Sequence, residues 1–329
     1  MNILITGGTG SLGQALTERL LNSATFQRIC IYSRDEHKQE QMARKFNDTR
    51  LRFFIGDVRD KDRLTLAMRD IQIVIHAAAM KIVPTAEYNP FEAIKTNIIG
   101  AQNLVDGALL SNNNGPWPKV LAISTDKAVN PINLYGATKL CAEKIFVAAN
   151  NIMGTVGPRF SVARYGNVSG SNGSIIPLFQ SQLKKKEQLT ITHDQMTRFW
   201  ITLTEAITLI INSIDMMHGG EIFIPKMRSY NVKQLAMLMM SQAGYKPEDT
   251  WVRVIGIRPG EKLDEIIMTR EELQKATYFE NRGLFIVDPK GNYSNPMMPD
   301  TCDVTSGLEQ LLMSDDELSK KLKELDSAS

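Results

Sequence analysis

The sequence predicts an α/β fold, a doubly wound parallel Rossmann sheet with a smaller α/β C-terminal lobe. Three observations carry that expectation. Short apolar runs alternate with helix-length segments through the first half of the chain. A glycine-rich turn, Gly7-Gly8-Thr9-Gly10-Ser11-Leu12-Gly13, follows the first of those runs, and a Tyr-x-x-x-Lys pair, Tyr135 and Lys139, opens a helix far downstream.

The runs are Ile3 to Thr6, Ile29 to Tyr32, Leu51 to Ile55, Ile71 to His76, Val120 to Ser124 and Phe160 to Arg164. Each is short and nearly all apolar, as a strand buried on both faces must be. Helical stretches between consecutive strands act as crossovers, which makes the strands parallel. After Arg164 the rhythm changes. The Gly/Ser/Asn-rich stretch Tyr165 to Gly173 precedes a helical segment, an irregular polar stretch Leu189 to Arg198, and a helix through Met217. Glu221 to Pro225 is expected to rejoin the sheet, while Val232 to Gly244 and Trp251 to Met268 build the second lobe. The expected division is residues 1–168, with return segments near 197–225, as the dinucleotide-binding part, and 169–196 with 226–329 as a substrate-binding lobe and tail. The tail is turn-rich from Asp288 (Pro289, Gly291, Asn292, Asn295-Pro296) before a charged helix, Asp315 to Leu325, expected as a cap or an interface element.

With 329 residues, 43% hydrophobic and 22% charged, the chain can bury a large core in one or two fused domains. Its 38 basic and 36 acidic residues nearly cancel, so electrostatics give no reason to expect nucleic acid or an anionic membrane as a partner. Lys184-Lys185-Lys186 reads as a solvated helix face. Three cysteines, Cys30, Cys141 and Cys302, are odd in number and carry no Cys-x-x-Cys pairing, so no metal site is expected and Cys30 and Cys141 are taken as packing residues. The chain opens directly on a strand and contains no apolar run of about 18 residues. The expected location is the cytoplasm.

Glycines at the first turn let the backbone approach a pyrophosphate, whose charge is stabilised by free N–H groups at the following helix N-terminus. Gly7, Thr9, Gly10, Ser11, Leu12 and Gly13 are therefore candidate cofactor contacts. At the end of the second strand, Ser33-Arg34-Asp35-Glu36-His37-Lys38 places Arg34 first and Lys38 one helical turn on. Two cations there suit a 2′-phosphate, so the predicted cofactor is NADP rather than NAD. Asp35 argues the other way unless it serves the start of the next helix. Asp57, beside Val58, could accept a hydrogen bond from an adenine amine or cap the third helix. Ala77, Ala78 and Ala79 are small, as needed where backbone passes close to the cofactor, and His76 is taken as a packed residue.

The fifth strand delivers Ser124-Thr125-Asp126-Lys127, and the next helix opens with Tyr135. Tyr135 and Lys139, four apart, share a helix face. The ammonium of Lys139 is expected to lower the phenol pKa and hold the nicotinamide ribose, leaving a tyrosinate to take a proton as hydride leaves a hydroxyl. Asp126 and Lys127 place an acid and an amine at the carboxyl end of a central strand, where ligands of open sheets sit. Neighbours on a strand point to opposite faces, so the two are not expected to pair.

The chain resembles the extended short-chain dehydrogenase/reductases and, within them, the inverting UDP-N-acetylglucosamine 4,6-dehydratases of the pseudaminic acid type. The resemblance rests on Tyr-Ser-Arg-Asp-Glu at 32–36, Arg-Phe-Phe-Ile-Gly-Asp-Val-Arg-Asp at 52–60, Ser-Thr-Asp-Lys-Ala at 124–128, Pro-Ile-Asn-Leu-Tyr-Gly-Ala-Thr-Lys at 131–139, Arg-Tyr-Gly-Asn-Val at 164–168, Met-Thr-Arg-Phe-Trp at 196–200 and Arg-Pro-Gly-Glu-Lys at 258–262. It implies that Tyr135, helped by Thr125 and Lys139, oxidises a bound UDP-sugar at C4 with NADP. A neutral Lys127 then takes the C5 proton, and Asp126 in its acid form protonates the departing C6 hydroxyl. Lysine at 127 departs from the glutamate of retaining dTDP-glucose dehydratases. Tyrosine at 135 departs from the methionine of longer membrane-linked retaining enzymes.

The resemblance also places Lys81 near the active centre, at both cofactor and sugar, and Thr125 against the substrate. Asn167 falls near the diphosphate, and Arg198, Arg258 and Glu261 in the UDP pocket. The competing readings are an ordinary turn for Arg258 to Glu261 and a surface pair for Arg198, while Trp200 is taken as core. Relatives often show Leu-Lys-His-Val-Pro where this chain has Met80-Lys81-Ile82-Val83-Pro84, and Ile-Thr-Asp where it has Ile191-Thr192-His193. His193 is expected on an exposed loop, with a ligand contact as the alternative. A homo-oligomer built through the helices after the fourth and fifth strands is implied. The rival readings are a C4 or C5 epimerase on the same class of substrate, a dehydratase on a related nucleotide sugar, and a non-catalytic NADP-binding sensor.

Overall fold

Six strands lie where the apolar runs predict them: β1 (Asn2–Thr6), β2 (Arg28–Ser33), β3 (Leu51–Ile55), β4 (Ile73–His76), β5 (Lys119–Thr125) and β6 (Arg159–Tyr165). They come from a computed structural model that describes residues 1–111, 116–152, 154, 156–171, 174–246, 251–288, 291 and 303–327. The remaining strands are β7 (Leu189–Ile191), β8 (Thr197–Trp200), β9 (Ile222–Pro225), β10 (Arg228–Asn231), β11 (Val252–Val254), β12 (Ile266–Met268), β13 (Ala276–Phe279), β14 (Leu284–Val287) and β15 (Val304–Thr305). The main sheet runs β13-β14-β9-β6-β5-β4-β1-β2-β3. From β9 to β3 every pairing is parallel. Strand order reverses between β1 and β4, the switch point outside which doubly wound folds bind ligands.

The crossovers are α1 (Ser11–Leu21), α2 (Glu36–Phe46), α3 (Lys61–Ala67), then α4 (Val83–Tyr88), α5 (Pro90–Ile94) and α6 (Gly100–Leu110), and α7 (Leu134–Ile152). One π-helical turn, Lys95–Ile99, joins α5 to α6. Further on come α8 (Ile175–Lys184), α9 (Leu203–Met216), α10 (Val232–Gln242), α11 (Arg270–Leu273) and α12 (Asp315–Ser327). Ile3, Leu4, Ile5, Val74, Ile75, Val120 and Leu121 are fully buried at the centre of the sheet, which explains the unbroken apolar runs.

A second core gathers Ile176, Phe179, Trp200, Tyr230, Leu235, Met240, Leu318 and Leu322. Leu318 and Leu322 belong to α12, so the C-terminal helix closes this lobe rather than standing free. Trp200 is a core residue in edge-to-face contact with Tyr230, as expected.

Several expectations are corrected. Leu189 to Arg198 is not irregular: β7 pairs with β11 and β8 with β10 in two small sheets. The main sheet also accepts an antiparallel hairpin, β13 and β14, from a segment expected in the second lobe. Cys30 is buried but Cys141 is exposed, on the solvent line of α7 that it shares with Lys144 and Ala148. Lys184 to Lys186 are exposed, and Cys302 and most of the turn-rich tail lie outside the described residues. Among the described residues no helix is long and apolar enough to cross a membrane, and no cluster has the makings of a metal site.

Arg164, 1% exposed, ties β6 to α7 and α11. Its guanidinium donates to Glu143 on α7 at 3.0 and 2.7 Å and to Glu272 on α11 at 2.8 and 2.9 Å. A buried cation paired on both sides in this way fixes α7, the helix that carries Tyr135, against the sheet.

Candidate active site

Gly7 follows β1 with φ +67°, the left-handed region that favours glycine, and its N–H donates to Tyr32 O at 2.9 Å. A Cβ at Gly7 would stand 2.8 Å from Ala78 N, and one at Gly13 only 2.4 Å from Gly8 O. The turn is therefore pressed against the Ala77 to Ala79 segment, and α1 against the turn, with no room for side chains. Gly10 caps α1 without a side-chain hydrogen bond, which leaves the first-turn N–H groups of Ser11, Leu12 and Gly13 to receive an anion. This cradle fits a dinucleotide pyrophosphate. His76 is packed behind it, 1% exposed, with Nδ1 2.8 Å from Thr6 Oγ1. Burial, then the charge of Lys139, holds its imidazole down at about 3.

At the end of β2, Arg34 lies 3.6 Å from Asp57 and Lys38 lies 3.4 Å from Asp35, both cations largely exposed. Asp35 caps α2 by accepting from Lys38 N at 3.0 Å, and that bond is the first cause of its lowered pKa. The helix-start reading of Asp35 is thus the one observed. Asp57 does not cap α3; Asp60 does, accepting from Arg63 N at 3.0 Å. The Asp57 carboxylate is instead held by Arg59, at 2.9 and 2.6 Å. Ser33 accepts from Gln39 Nε2 at 3.0 Å, and Val58 is buried.

β5 ends at Thr125, and the chain turns at once into a 3-10 turn, Asp126–Ala128. That turn breaks the strand alternation and corrects the expectation that Asp126 and Lys127 point apart. Lys127 Nζ donates to Asp126 Oδ1 at 3.0 Å and to Asn167 Oδ1 at 2.9 Å, and stands 3.1 Å from Glu265 Oε1. Asp126 is fully buried, and its Oδ1 also accepts from Thr125 Oγ1 at 2.9 Å. Among the described residues no donor reaches Asp126 Oδ2 or Glu265 Oε2.

Burial draws the Lys127 ammonium down, but Asp126 and then Glu265 outweigh it and hold the pKa above the ordinary lysine range. Lys127 is charged in this arrangement, not neutral. Tyr135 is pushed up to about 12 by burial, against the charge of Lys127 and a hydrogen bond with Thr125. The cation that lowers the phenol most is thus Lys127, which the helix spacing did not suggest. Lys139 Nζ donates to Ile123 O at 2.6 Å, and burial brings it down to about 8 against the pull of Glu143.

Across from this cluster, Arg198 is 7% exposed and so is no surface pair. It donates to Thr197 O at 2.6 Å, to Leu263 O at 3.0 Å and to Glu261 Oε1 at 3.4 Å. Arg258 to Glu261 forms a turn, with Glu261 N donating to Arg258 O at 3.0 Å and Gly260 at φ +77°. Asn133 Nδ2 donates to Gly260 O at 2.8 Å, seating the turn on the start of α7. Arg198 and Glu261 are thus brought together, while Arg258 and Lys81 are exposed at the rim. Asn167, expected at a diphosphate, is engaged by Lys127. His193 is half-buried, not exposed, its Nδ1 accepting from Gln195 N at 3.1 Å.

Sequence reasoning missed Glu265 and Asn97. Asn97, in the π-helical turn, accepts from Met80 N at 2.8 Å and donates to Met80 O and Thr138 Oγ1, each at 2.9 Å, so it pins the Lys81 loop to α7. The π turn itself gives no hydropathy signal. Glu265 follows Lys262 by three residues, and its proximity to Lys127 exists only across the fold.

A polysaccharide biosynthesis protein family matches residues 3–286 of the chain. A UDP-N-acetylglucosamine 4,6-dehydratase (inverting) of Campylobacter jejuni is 50% identical over 299 residues, 89% of this chain and 86% of that protein. A UDP-glucose 4-epimerase of Rickettsia bellii is 42% identical over 277 residues, 83% of this chain and 79% of that one. The X-ray structure of Pen from Bacillus thuringiensis superposes with a TM-score of 0.89 at 35% identity, covering 99% of this chain and 97% of that one.

Proposed function

The chain belongs to the polysaccharide biosynthesis protein family and, within it, to the inverting UDP-N-acetylglucosamine 4,6-dehydratases; from that membership we propose that it converts UDP-N-acetylglucosamine to UDP-2-acetamido-2,6-dideoxy-β-L-arabino-hex-4-ulose, inverting C5. The observation that carries the proposal is the buried contact of Asp126, Lys127 and Thr125 beside Tyr135.

The Gly7–Gly13 cradle, Ala77 to Ala79, Tyr135 and Lys139 would hold a nicotinamide dinucleotide, which when bound supplies hydride acceptance and return. Arg34 and Lys38 are the reason to favour NADP. Tyr135 accepts the C4 hydroxyl proton in its phenolate form, which the Lys127 charge and the hydrogen bond with Thr125 favour against burial. The new ketone acidifies the C5 proton, which a neutral Lys127 takes while Asp126 protonates the C6 hydroxyl as it leaves as water. That reactive form needs no added or lost proton. The proton on Lys127 moves along the 3.0 Å hydrogen bond to Asp126, which leaves the amine neutral and the carboxyl in its acid form. Arg198 and Glu261 with Arg258, Lys81 and Asn167 would bind the UDP-sugar between the main sheet, which the β13–β14 hairpin extends, and the lobe built from 169–196 and the rest of 226–329. Exposed Tyr88, Phe91, Ile99 and Leu110 on the helices after β4 support a homo-oligomer. A water-soluble nucleotide sugar is the reason to place the enzyme in the cytoplasm, feeding a pseudaminic acid type of pathway.

Incubation with UDP-N-acetylglucosamine in D₂O, followed by NMR, tests the reading. The expected product is a 6-deoxy-4-keto sugar with deuterium at C5. A product that keeps its C6 hydroxyl refutes it and favours an epimerase, the reading for which the Rickettsia relative speaks.

A further inference from the structure

Glu265 has no part in the chemistry so far described, yet it is 2% exposed and faces Lys127 directly. Its backbone is fixed just before β12: Glu265 N donates to Ser306 Oγ at 2.9 Å, and Ser306 N donates to Glu265 O at 2.8 Å. Ser306 Oγ in turn lies 2.7 Å from Thr197 Oγ1, beside Arg198. Burying a carboxylate is costly unless it is paired and hydrogen-bonded, and here one oxygen has Lys127 as its partner while the other meets no donor among the described residues. Removing both groups in favour of apolar ones would relieve that cost, so the second acid beside Lys127 is hard to explain by stability alone. The ionisable groups facing Lys127 come from every side: Asp126 on its own turn, Glu265 before β12, Arg198 on β8, with Tyr135 on α7 and Tyr230 on β10 coupled to the same cluster and Lys262 bordering it.

We propose that Glu265 is a positioning residue that aims the Lys127 amine and sets its strength as a base. The inference rests on the dehydratase reading and deepens it. As Lys127 acts, the C5–H bond breaks, an N–H bond forms, and the electron pair passes into the C5–C6 double bond as the C6–O bond breaks. Asp126 gives its proton to the leaving hydroxyl, and water departs. The ammonium so formed stands against the Glu265 carboxylate, which stabilises it, while the now ionised Asp126 can recover the proton from Lys127. Two carboxylates around one amine thus serve different purposes: Asp126 exchanges protons with Lys127, and Glu265 holds the amine in place from the other side.

The test is Glu265→Gln, nearly equal in volume, assayed with UDP-N-acetylglucosamine for C5 exchange in D₂O and for transient absorbance of the reduced nicotinamide. An opposite charge within a few ångströms moves a pKa by about 1 to 3 units, so both limbs of the pH profile for C5 exchange should move to lower pH by about that amount. Exchange at the optimum should fall at least about tenfold, while reduced nicotinamide still forms. Glu265→Asp keeps the charge but withdraws it, so its profile should move in the same direction by less than that of the amide while exchange slows; should the amide variant fail to fold, this variant decides. A wild-type profile and rate in Glu265→Gln, or a profile moved to higher pH or an undiminished rate in Glu265→Asp, overturns the proposal. Wild-type enzyme that gives neither exchange nor C6 deoxygenation overturns the dehydratase reading itself, a separate result.

Discussion

Gly136→Ala should slow the reaction about a hundredfold without touching any reacting group. Gly136 sits in α7 immediately after Tyr135, and a Cβ placed there would stand 2.1 Å from Lys127 O, 3.0 Å from Lys127 C and 3.1 Å from Pro131 Cβ. Ordinary contact begins at 3.4 Å, so the helix and the Asp126–Ala128 turn must part by about 1.3 Å, the difference from 2.1 Å. The nearest obstacle is backbone, which cannot swing aside as a side chain can. A misplacement of about 1 Å between reacting groups costs on the order of 10²-fold in rate, and here it separates Tyr135 from Lys127. Overpacking costs about 1–3 kcal/mol, partly offset by the gain of up to about 1 kcal/mol from alanine in a helix. The assay is kcat for the 4-keto product, with urea denaturation alongside. A variant with kcat within about twofold of wild type would show that the helix and turn can separate harmlessly, and the geometric argument would be wrong.

Two further outcomes follow from the site. In His76 the folded pKa of about 3 lies below the ordinary 6.5. Between those values the unfolded chain binds a proton that the folded chain does not, so this stabilisation is complete above 6.5 and is lost as pH falls, by up to about 1.4 kcal/mol per pH unit. Denaturant midpoints of His76→Asn should therefore fall less steeply than wild type between neutral pH and pH about 5; equal slopes would contradict a buried neutral imidazole. Arg34→Ala should raise Kd for NADP about tenfold to a hundredfold, the worth of a hydrogen bond to a charged group, and leave NAD unaffected. Isothermal titration with both dinucleotides decides it, and equal weakening of the two would remove the case for a 2′-phosphate at Arg34.

Local signals carried the fold where structure is local. Apolar runs became the parallel strands because strands covered on both faces admit a polar residue only where a partner awaits it, as Thr6 does for His76, and the glycine turn became the cradle because only glycine fits beside Ala78 and Gly8. Antiparallel β13 and β14 escaped notice because short strands far along the chain join the sheet by pairing with β9, a contact that no periodicity records. At the site, Tyr135 and Lys139 were visible by spacing, but their electrostatics were not. The helix repeat pointed to Lys139 as the cation on the phenol, but the end of β5 breaks into a 3-10 turn and brings Lys127 to it as well, which no spacing records.

The sequence by itself determined the order of strands and helices as far as β6, the glycine cradle and the Thr125-Asp126-Lys127 and Tyr135 set of residues, since each is written within one element and its neighbouring turn. Only the tertiary structure decided the charge of Lys127, because that depends on Asp126 and on Glu265, which is distant in sequence and stands 3.1 Å away with its backbone held by Ser306. Residue identity fixes which groups can ionise, but burial and the sum of neighbouring charges fix whether they do.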